Sequence, residues 1–417
     1  MSQLMEEILS RENMTLAYKK VKANKGASGV DGITTDEVQE YLKENWASIK
    51  ERIQKRKYKP QPVLRVEIPK PAGGVRKLGI PSVVDRIIEQ AIVQVITPIV
   101  EPYFSDYSYG FRPGRRAQQA IIKLLEYLND GFTYIVDIDL EKFFDNVPQD
   151  KLMTLVGEIV KDPDTESLIS KYLKAGVMVK GKYEPTNEGT PQGGNLSPIL
   201  SNIMLNELDK ELEVRGLNFV RYADDCIIAV GSSAAANRVM NSVTKWIERK
   251  LGLKVNMTKT RITKPSNLKY LGFGFVKMGD RWEARPHQES VKNFERKLKK
   301  LTKRSWSISM DERIQRLNWV IRGWINYFRI GKMKNNLIRI DGHLRTRMRI
   351  VIWKQWKTSK KRWWGLRKLG VPEWMVKQSV GFANHYQAVA KTTGLHKISK
   401  EILAKRGLIS CVDYYLN

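Results

Sequence analysis

The run Phe219-Val220-Arg221-Tyr222-Ala223-Asp224-Asp225-Cys226-Ile227-Ile228-Ala229-Val230 constrains the fold more than any other stretch of the chain. Two apolar segments flank a short polar turn, which predicts strand, tight turn, strand. The turn carries two adjacent carboxylates, and these do not sit comfortably together between apolar strands without a cation. Mg²⁺ suits such a turn, because it binds through one or two carboxylates plus substrate phosphates. An Asp-Asp pair alone also fits a solvated turn. Here a second short apolar strand, Tyr134-Ile135-Val136-Asp137-Ile138-Asp139, brings further carboxylates. Three carboxylates from two strands can hold two metals about 3.5–4 Å apart and clamp an in-line phosphoryl displacement. Strand alternation puts Asp137 and Asp139 on one face, so either residue can be the third.

Other segments surround this unit. Residues 1–60 read as helices broken by the turn-rich stretch Asn24 to Gly32. Leu64 to Ile68 and Val75 to Leu78, joined through Pro69-Lys70-Pro71-Ala72-Gly73-Gly74, read as a hairpin. Asp85 to Val100 reads as a helix with Ile87, Ile88, Ala91, Ile92 and Val95 on its apolar face. Asn237 to Leu251 is helical, with strands expected near Lys254-Val255 and from Tyr270 to Val276. After Pro286 the periodicity is wholly helical. Ile314, Leu317, Ile321, Trp324 and Phe328 share one stripe there, leaving Arg313, Arg316 and Arg322 off it. The sequence therefore predicts an α+β body followed by a basic helical unit.

Charge narrows the partners. The chain carries 73 Lys and Arg against 44 Asp and Glu, a net +29. Residues 286–417 hold 30 of the basic residues, 8 of the acidic ones and eight of the eleven Trp. Such an excess repels itself unless a polyanion neutralises it. Basic side chains interleaved with Trp suit phosphate tracking and base stacking. No apolar run approaches 18 residues and the first fourteen residues are acidic, which argues against a membrane and a signal segment. Two cysteines, Cys226 and Cys411, allow neither a disulfide framework nor a Cys-rich zinc site, so a reducing, cytoplasmic setting is expected.

Taken in order, the segments resemble the motif series of reverse transcriptases in its group II intron form. Asp139-Leu140-Glu141-Lys142-Phe143-Phe144-Asp145 resembles the first catalytic motif. Pro191-Gln192-Gly193-Gly194-Asn195-Leu196-Ser197-Pro198 resembles the motif that positions template and nucleotide, and Tyr222 to Asp225 the metal-binding box. Leu251 to Asn256 with Lys259-Thr260 resembles the motif that follows, and Tyr270-Leu271-Gly272-Phe273 the primer grip. Ser108-Tyr109-Gly110-Phe111-Arg112-Pro113 and the Gly26–Gly32 segment are marks of the intron lineage. Arg316 to Phe328 resembles its thumb or maturase region.

The resemblance implies a right-hand polymerase, an α+β body with fingers and an antiparallel palm, followed by an α-helical thumb. Its divisions would be an N-terminal extension (1–60), fingers and palm (61–285), a helical thumb or maturase domain (286–365) and a short basic DNA-binding tail (366–417). It implies an RNA-directed DNA polymerase that also assists splicing and mobility of its intron. Two Mg²⁺ would be held by Asp139, Asp224 and Asp225, with Asp139 preferred over Asp137 because Phe144-Asp145 then falls at the family's spacing. Lys70, Arg76, Phe144 and Gln192 would meet the nucleotide, with Phe144 excluding a 2′-hydroxyl and Phe143 packing behind it. Lys259, Tyr270, Gly272, Arg313, Arg316 and Arg322 would meet template, primer or intron RNA; Arg112 fits either an RNA contact or a structural anchor. The implied partners are intron RNA, an RNA template with a DNA or RNA primer, target DNA and deoxynucleotides, with the protein in a cytoplasmic ribonucleoprotein. Two alternatives compete: a splicing maturase without polymerase activity, and a reverse transcriptase of a defence or diversity system. A Cys-paired endonuclease domain, common at the end of such proteins, needs more cysteines than this sequence has.

Overall fold

Several helix starts in this chain are set by side-chain caps. Ser10 Oγ accepts from Asn13 N ahead of the helix Arg11–Ala23, and Ser82 Oγ accepts from Asp85 N ahead of the helix Val83–Val100. Asp162 caps the helix Pro163–Leu173, where Pro163 occupies the first helical position. The computed structural model describes residues 1–69, 74–191 and 193–417. They divide into two units, 1–264 and 265–417.

The first unit opens with α1 (Gln3–Ile8), α2 (Arg11–Ala23) and α3 (Val38–Gln54). Strands β1 (Val63–Pro69) and β2 (Val75–Ile80) form the expected hairpin, with Leu64 opposite Ile80 and Pro69 opposite Val75. Helix α4 (Val83–Val100) buries the five apolar residues named from its periodicity. Each of the Ile and Val side chains among them contributes about 1.5–3 kcal/mol on leaving water. Then follow α5 (Ala117–Asn129), β3 (Tyr134–Ile138), α6 (Phe143–Asn146), α7 (Gln149–Val160), α8 (Pro163–Leu173), β4 (Val177–Val179) and β5 (Lys182–Glu184). Helix α9 (Ser197–Val214) leads into β6 (Asn218–Tyr222), β7 (Asp225–Val230), α10 (Ser233–Trp246) and β8 (Arg261–Thr263).

Two sheets result. One has the order β2-β1-β4-β5, in which β1 and β4 run parallel and the other pairs antiparallel. The other is antiparallel throughout, in the order β6-β7-β3-β8. The β4–β5 hairpin turns through Lys180 and Gly181, both at positive φ (49° and 81°). That geometry matches the twist of a two-residue hairpin loop. The strand expected near Lys254-Val255 is reduced to a single bridge, Leu140 to Val255.

The second unit begins with an antiparallel sheet of β9 (Lys269–Tyr270), β10 (Phe273–Met278) and β11 (Arg281–Pro286). Helices α11 (Gln288–Leu301), α12 (Met310–Phe328) and α13 (Lys334–Gln355) follow, then α14 (Ser359–Lys368) and α15 (Glu373–Gly381). Short helices α16 (Tyr386–Val389), α17 (Thr393–His396), α18 (Lys400–Lys405) and α19 (Cys411–Leu416) complete it. The unit therefore starts about twenty residues before the expected boundary at 285. The reason is packing: Gly272 O accepts from His287 N and from Ser290 Oγ, and the Phe273 and Phe328 rings lie 4.8 Å apart. Nor do the last fifty residues stand apart as a tail. Asp341 of α13 accepts from Ser410 Oγ, Cys411 N and Val412 N, and Asn318 of α12 bonds Gly407 and Ile409. Among the described residues no helix is long and apolar enough to cross a membrane.

Candidate active site

The four-stranded antiparallel sheet sets the carboxylates. Register pairs Ile138 with Cys226, so Asp139, just past the end of β3, comes level with the β6–β7 turn. Ala223 and Asp224 make that turn between the paired residues Tyr222 and Asp225. Ala223 sits at φ 57°, a left-handed conformation that costs an alanine about 1–2 kcal/mol. Asp139, Asp224 and Asp225 line one cavity of about 860 Å³ in the first unit. Its walls carry Arg65, Arg76 and Lys77 from the hairpin, Lys142 to Asp145 around α6, and Lys259.

Negative charge is concentrated on its floor. Burial, and then the charge of Asp139, raises the Asp224 carboxyl above the usual carboxylate range. Asp225 is pushed up to about 6 by loss of water, then by Asp224, Asp137 and Asp139, against the pull of Lys259. Lys259 Nζ lies 3.4 Å from both Asp139 oxygens. Asp137 is engaged elsewhere, 3.3 Å from Arg261 Nε. Among the described residues no three His, Cys, Asp or Glu side chains are gathered closely enough to hold an ion as they stand. The carboxylates are nonetheless of the right kind for a hard cation: oxygen donors, crowded together, with Asp224 and Asp225 raised by burial first and by neighbouring carboxylates second.

The other wall residues explain themselves in part. Phe143 is buried and Phe144 half-buried at the cavity, their rings 5.2 Å apart and nearly perpendicular. Phe144 O accepts from Thr190 N at 2.7 Å, which ties the Pro191–Pro198 segment to α6. Arg65, which the motifs did not single out, reaches Asp145 at 4.0 Å, and its Nε has no hydrogen-bond partner among the described residues. Lys70 and Gln192 lie outside the described residues.

Arg313 and Tyr270, which the resemblance puts on a nucleic-acid surface, are buried, and so is Arg112, for which an RNA contact and a structural anchor both stood open. Arg112 pairs with Glu101 at 2.8 Å and donates to Ser105 O and Ser108 O, so it anchors its own loop. Arg313 is 1% exposed and donates to Leu301 O, Lys303 O and Trp306 O, closing the end of α11. Helical periodicity could not reveal this, because carbonyls left over at a helix end attract a buried guanidinium as an apolar face attracts leucine. Tyr270 is 3% exposed. Its neighbour Gly272, at φ 80°, packs against the Phe328 ring. Arg316 and Arg322 are exposed on α12 as expected.

Glu89 of α4 was not legible as part of the site. It is 5% exposed and accepts from Asn195 N at 2.6 Å and from Leu196 N, holding the Gly193–Asn195 turn from below. Burial pushes it up to about 8, the backbone donors and Arg86 opposing and Asp85 adding to the rise. The unfolded chain releases this proton near the ordinary value of 4.5. The associated stability is therefore complete below that pH and is lost as pH rises through about 8. At about 1.4 kcal/mol per unit the loss is at most roughly 5 kcal/mol. Glu89→Gln is expected to flatten the fall in melting temperature between pH 5 and 9, read by thermal melts at fixed ionic strength. Parallel curves for variant and wild type would assign the dependence to another group.

A basic cavity floored by carboxylates and walled by a strand hairpin has the layout of a nucleotidyl-transfer site. The comparisons agree. Residues 68–275 match the family described as reverse transcriptase (RNA-dependent DNA polymerase), and residues 291–370 match the group II intron maturase-specific domain. Escherichia coli protein YkfC is 31% identical over 318 residues, covering 67% of this chain and 82% of its own. The putative COX1/OXI3 intron 2 protein of Saccharomyces cerevisiae is 31% identical over 337 residues, 66% of this chain and 39% of that protein. The group II intron-encoded protein LtrA of Lactococcus lactis is 36% identical over 210 residues, 50% of this chain and 35% of that protein. The chain thus spans less than half the length of the last two. A chain of a partial Cas6-RT-Cas1–Cas2 complex superposes with a TM-score of 0.38 at 23% identity, covering 60% of this chain and 43% of its own. This chain belongs to the reverse transcriptases of the group II intron type.

Proposed function

We propose that the chain copies RNA into DNA for a group II intron, helps that intron RNA fold and splice, and carries it into new DNA sites as part of a ribonucleoprotein. The observation that carries this reading is the convergence of Asp139, Asp224 and Asp225 on one basic-walled cavity inside the matched reverse transcriptase region. A maturase without polymerase activity has no use for that convergence. The maturase-specific match at 291–370 supports the intron lineage over a defence or diversity system.

Asp139, Asp224 and Asp225 are the residues that would hold two Mg²⁺. Such ions, when bound, would lower the pKa of a primer 3′-hydroxyl and neutralise charge on the triphosphate and leaving pyrophosphate. The protein's own part is positioning. Arg76, with Lys70, meets the triphosphate, the guanidinium as a fork and the ammonium as a point charge. Phe144 packs beneath the deoxyribose, and Gln192 supports the incoming nucleotide. Lys259 gives the charge of Asp139 a partner until substrate arrives. The exposed basic side chains of α12, Arg316 and Arg322, meet intron RNA or the template–primer duplex, and residues 366–417 contribute to target DNA binding. The deciding experiment is extension of a DNA primer on an RNA template with Mg²⁺; no extension by folded protein would leave the maturase reading alone.

Sugar selection supplies a second test. Removing the Phe144 ring opens space for one hydroxyl, and a single buried contact of that size discriminates by roughly 10–200-fold. Phe144→Ala is expected to narrow the ratio of kcat/KM for a deoxynucleotide over its ribonucleotide by about that factor. Retained activity with an unchanged ratio would make Phe144 an ordinary core aromatic.

A further inference from the structure

Beneath the carboxylate turn lies a buried ionic fork that the chemistry above does not use. Arg221 of β6 and Asp209 of α9 are both 0% exposed. The pair is bidentate: Arg221 Nε donates to Asp209 Oδ1 at 2.7 Å and Nη2 to Oδ2 at 2.5 Å. The remaining nitrogen, Nη1, donates to Asn202 Oδ1 at 3.0 Å and to Ala223 O at 2.8 Å. Asn202, seven residues before Asp209 and so on the same face of α9, donates onward to Gly110 O at 2.9 Å. Gly110 in turn abuts the turn itself, since a Cβ there would lie 2.2 Å from Ala223 N. The loop is stitched to the strand on both sides of Arg221, through Tyr109 N to Arg221 O and Arg221 N to Tyr107 O.

These contacts converge on the one residue of the turn that is conformationally strained, Ala223 at φ 57°. Strained backbone persists only where its surroundings over-determine it. A buried ion pair is also a poor way to gain stability, because well-packed apolar residues of similar volume usually serve as well or better. What an apolar pair cannot do is donate to Ala223 O. We propose that Arg221, oriented by Asp209 and Asn202, is a positioning residue that fixes the Ala223 carbonyl and thereby the placement of the Asp224 and Asp225 carboxylates. Asp209 holds the guanidinium plane, and Asn202 links it to the Gly110 loop, so turn and loop move together or not at all. The inference rests on the polymerase reading of the cavity.

The test replaces the pair by apolar residues, Arg221→Met with Asp209→Leu, which removes both buried charges together and leaves none unpaired. Primer extension on an RNA template is measured with kcat, KM for the deoxynucleotide, template–primer affinity and the Mg²⁺ concentration giving half-maximal rate; circular dichroism and thermal melting report the fold. Misplacing reacting groups by about 1 Å costs on the order of 10²-fold. The expected result is a folded protein with kcat at least about 30-fold lower, a raised Mg²⁺ requirement, and nucleotide KM and template–primer affinity within about threefold of wild type. A folded double variant with kcat within about threefold of wild type makes the pair merely structural and overturns the inference. Should the double variant lose its fold, Asn202→Leu, which removes one bond to the same guanidinium, decides: a fall of at least about fivefold in kcat supports positioning, and an unchanged kcat overturns it. Failure of the wild-type protein to extend any primer overturns the polymerase reading and this inference with it, whereas an active wild type beside an equally active variant overturns this inference alone.

Discussion

Asp224→Ala is expected to lower primer extension at least about 10³-fold, to background, because the carboxylates supply several kcal/mol of transition-state stabilisation and each 1.36 kcal/mol is tenfold in rate. Its melting temperature is expected to stay level or rise. Burial and the charge of Asp139 hold the Asp224 carboxyl above the ordinary carboxylate range, so the ionised form works against the fold at neutral pH. Alanine removes that cost and leaves the apolar packing of β6 and β7 intact. Loss of activity with gain of stability is the signature of a residue kept for chemistry. Primer extension and thermal melting on the same preparation check both halves. Synthesis within tenfold of wild type would remove Asp224 from the site, and a large drop in melting temperature would make it a structural turn residue.

The parts of the site that were legible in the sequence are those written by short-range pattern. Alternation around Asp137 and Asp139, the apolar flanks of Tyr222 to Asp225, and the periodicity of α4 each reflect one element meeting one buried face. The parts that were not legible depend on groups distant in sequence. Arg313 reads as surface charge until the carbonyls at the end of α11 claim it. The β4 strand is three residues long and joins the larger sheet by parallel pairing with β1, where Val177 meets Val63 from 114 positions away. Glu89 and Arg221 did leave a signal, an ionisable residue on an otherwise apolar face. Polar groups are buried only when their partners are supplied. Such a residue therefore marks a fixed network even before its partners are known. For Glu89 the network holds the Gly193–Asn195 turn, and for Arg221 the Ala223–Asp224 turn.

Copying and splicing draw on different residues, and this gives the largest separable effect. Polymerisation needs the carboxylates at the moment of phosphoryl transfer. Splicing assistance needs a basic surface that favours the folded intron over its alternatives, while the RNA performs its own chemistry. An Asp224→Ala, Asp225→Ala double variant is therefore expected to accelerate splicing of its cognate intron at low Mg²⁺ as well as wild type, with primer extension abolished. Neutralising Arg316 and Arg322 is expected to do the reverse. Both are exposed on α12, where Arg316 shares its charge with Glu312 in an i,i+4 pair and lies 5.3 Å from the centre of the Trp306 ring, contacts at the surface whose loss costs the fold little. If each neutralises one phosphate, the log–log slope of RNA affinity against salt should flatten by about 1.4–1.8, at about 0.7–0.9 per contact. Splicing should weaken more than copying of a short unstructured template. Arg313 must be left in place, since its guanidinium bonds three backbone carbonyls and its loss would unfold the α11–α12 corner and mimic a binding defect. Splicing rate and primer extension are measured side by side for both variants. A folded carboxylate variant that loses splicing along with synthesis would remove the maturase half of the proposed function and leave a polymerase alone.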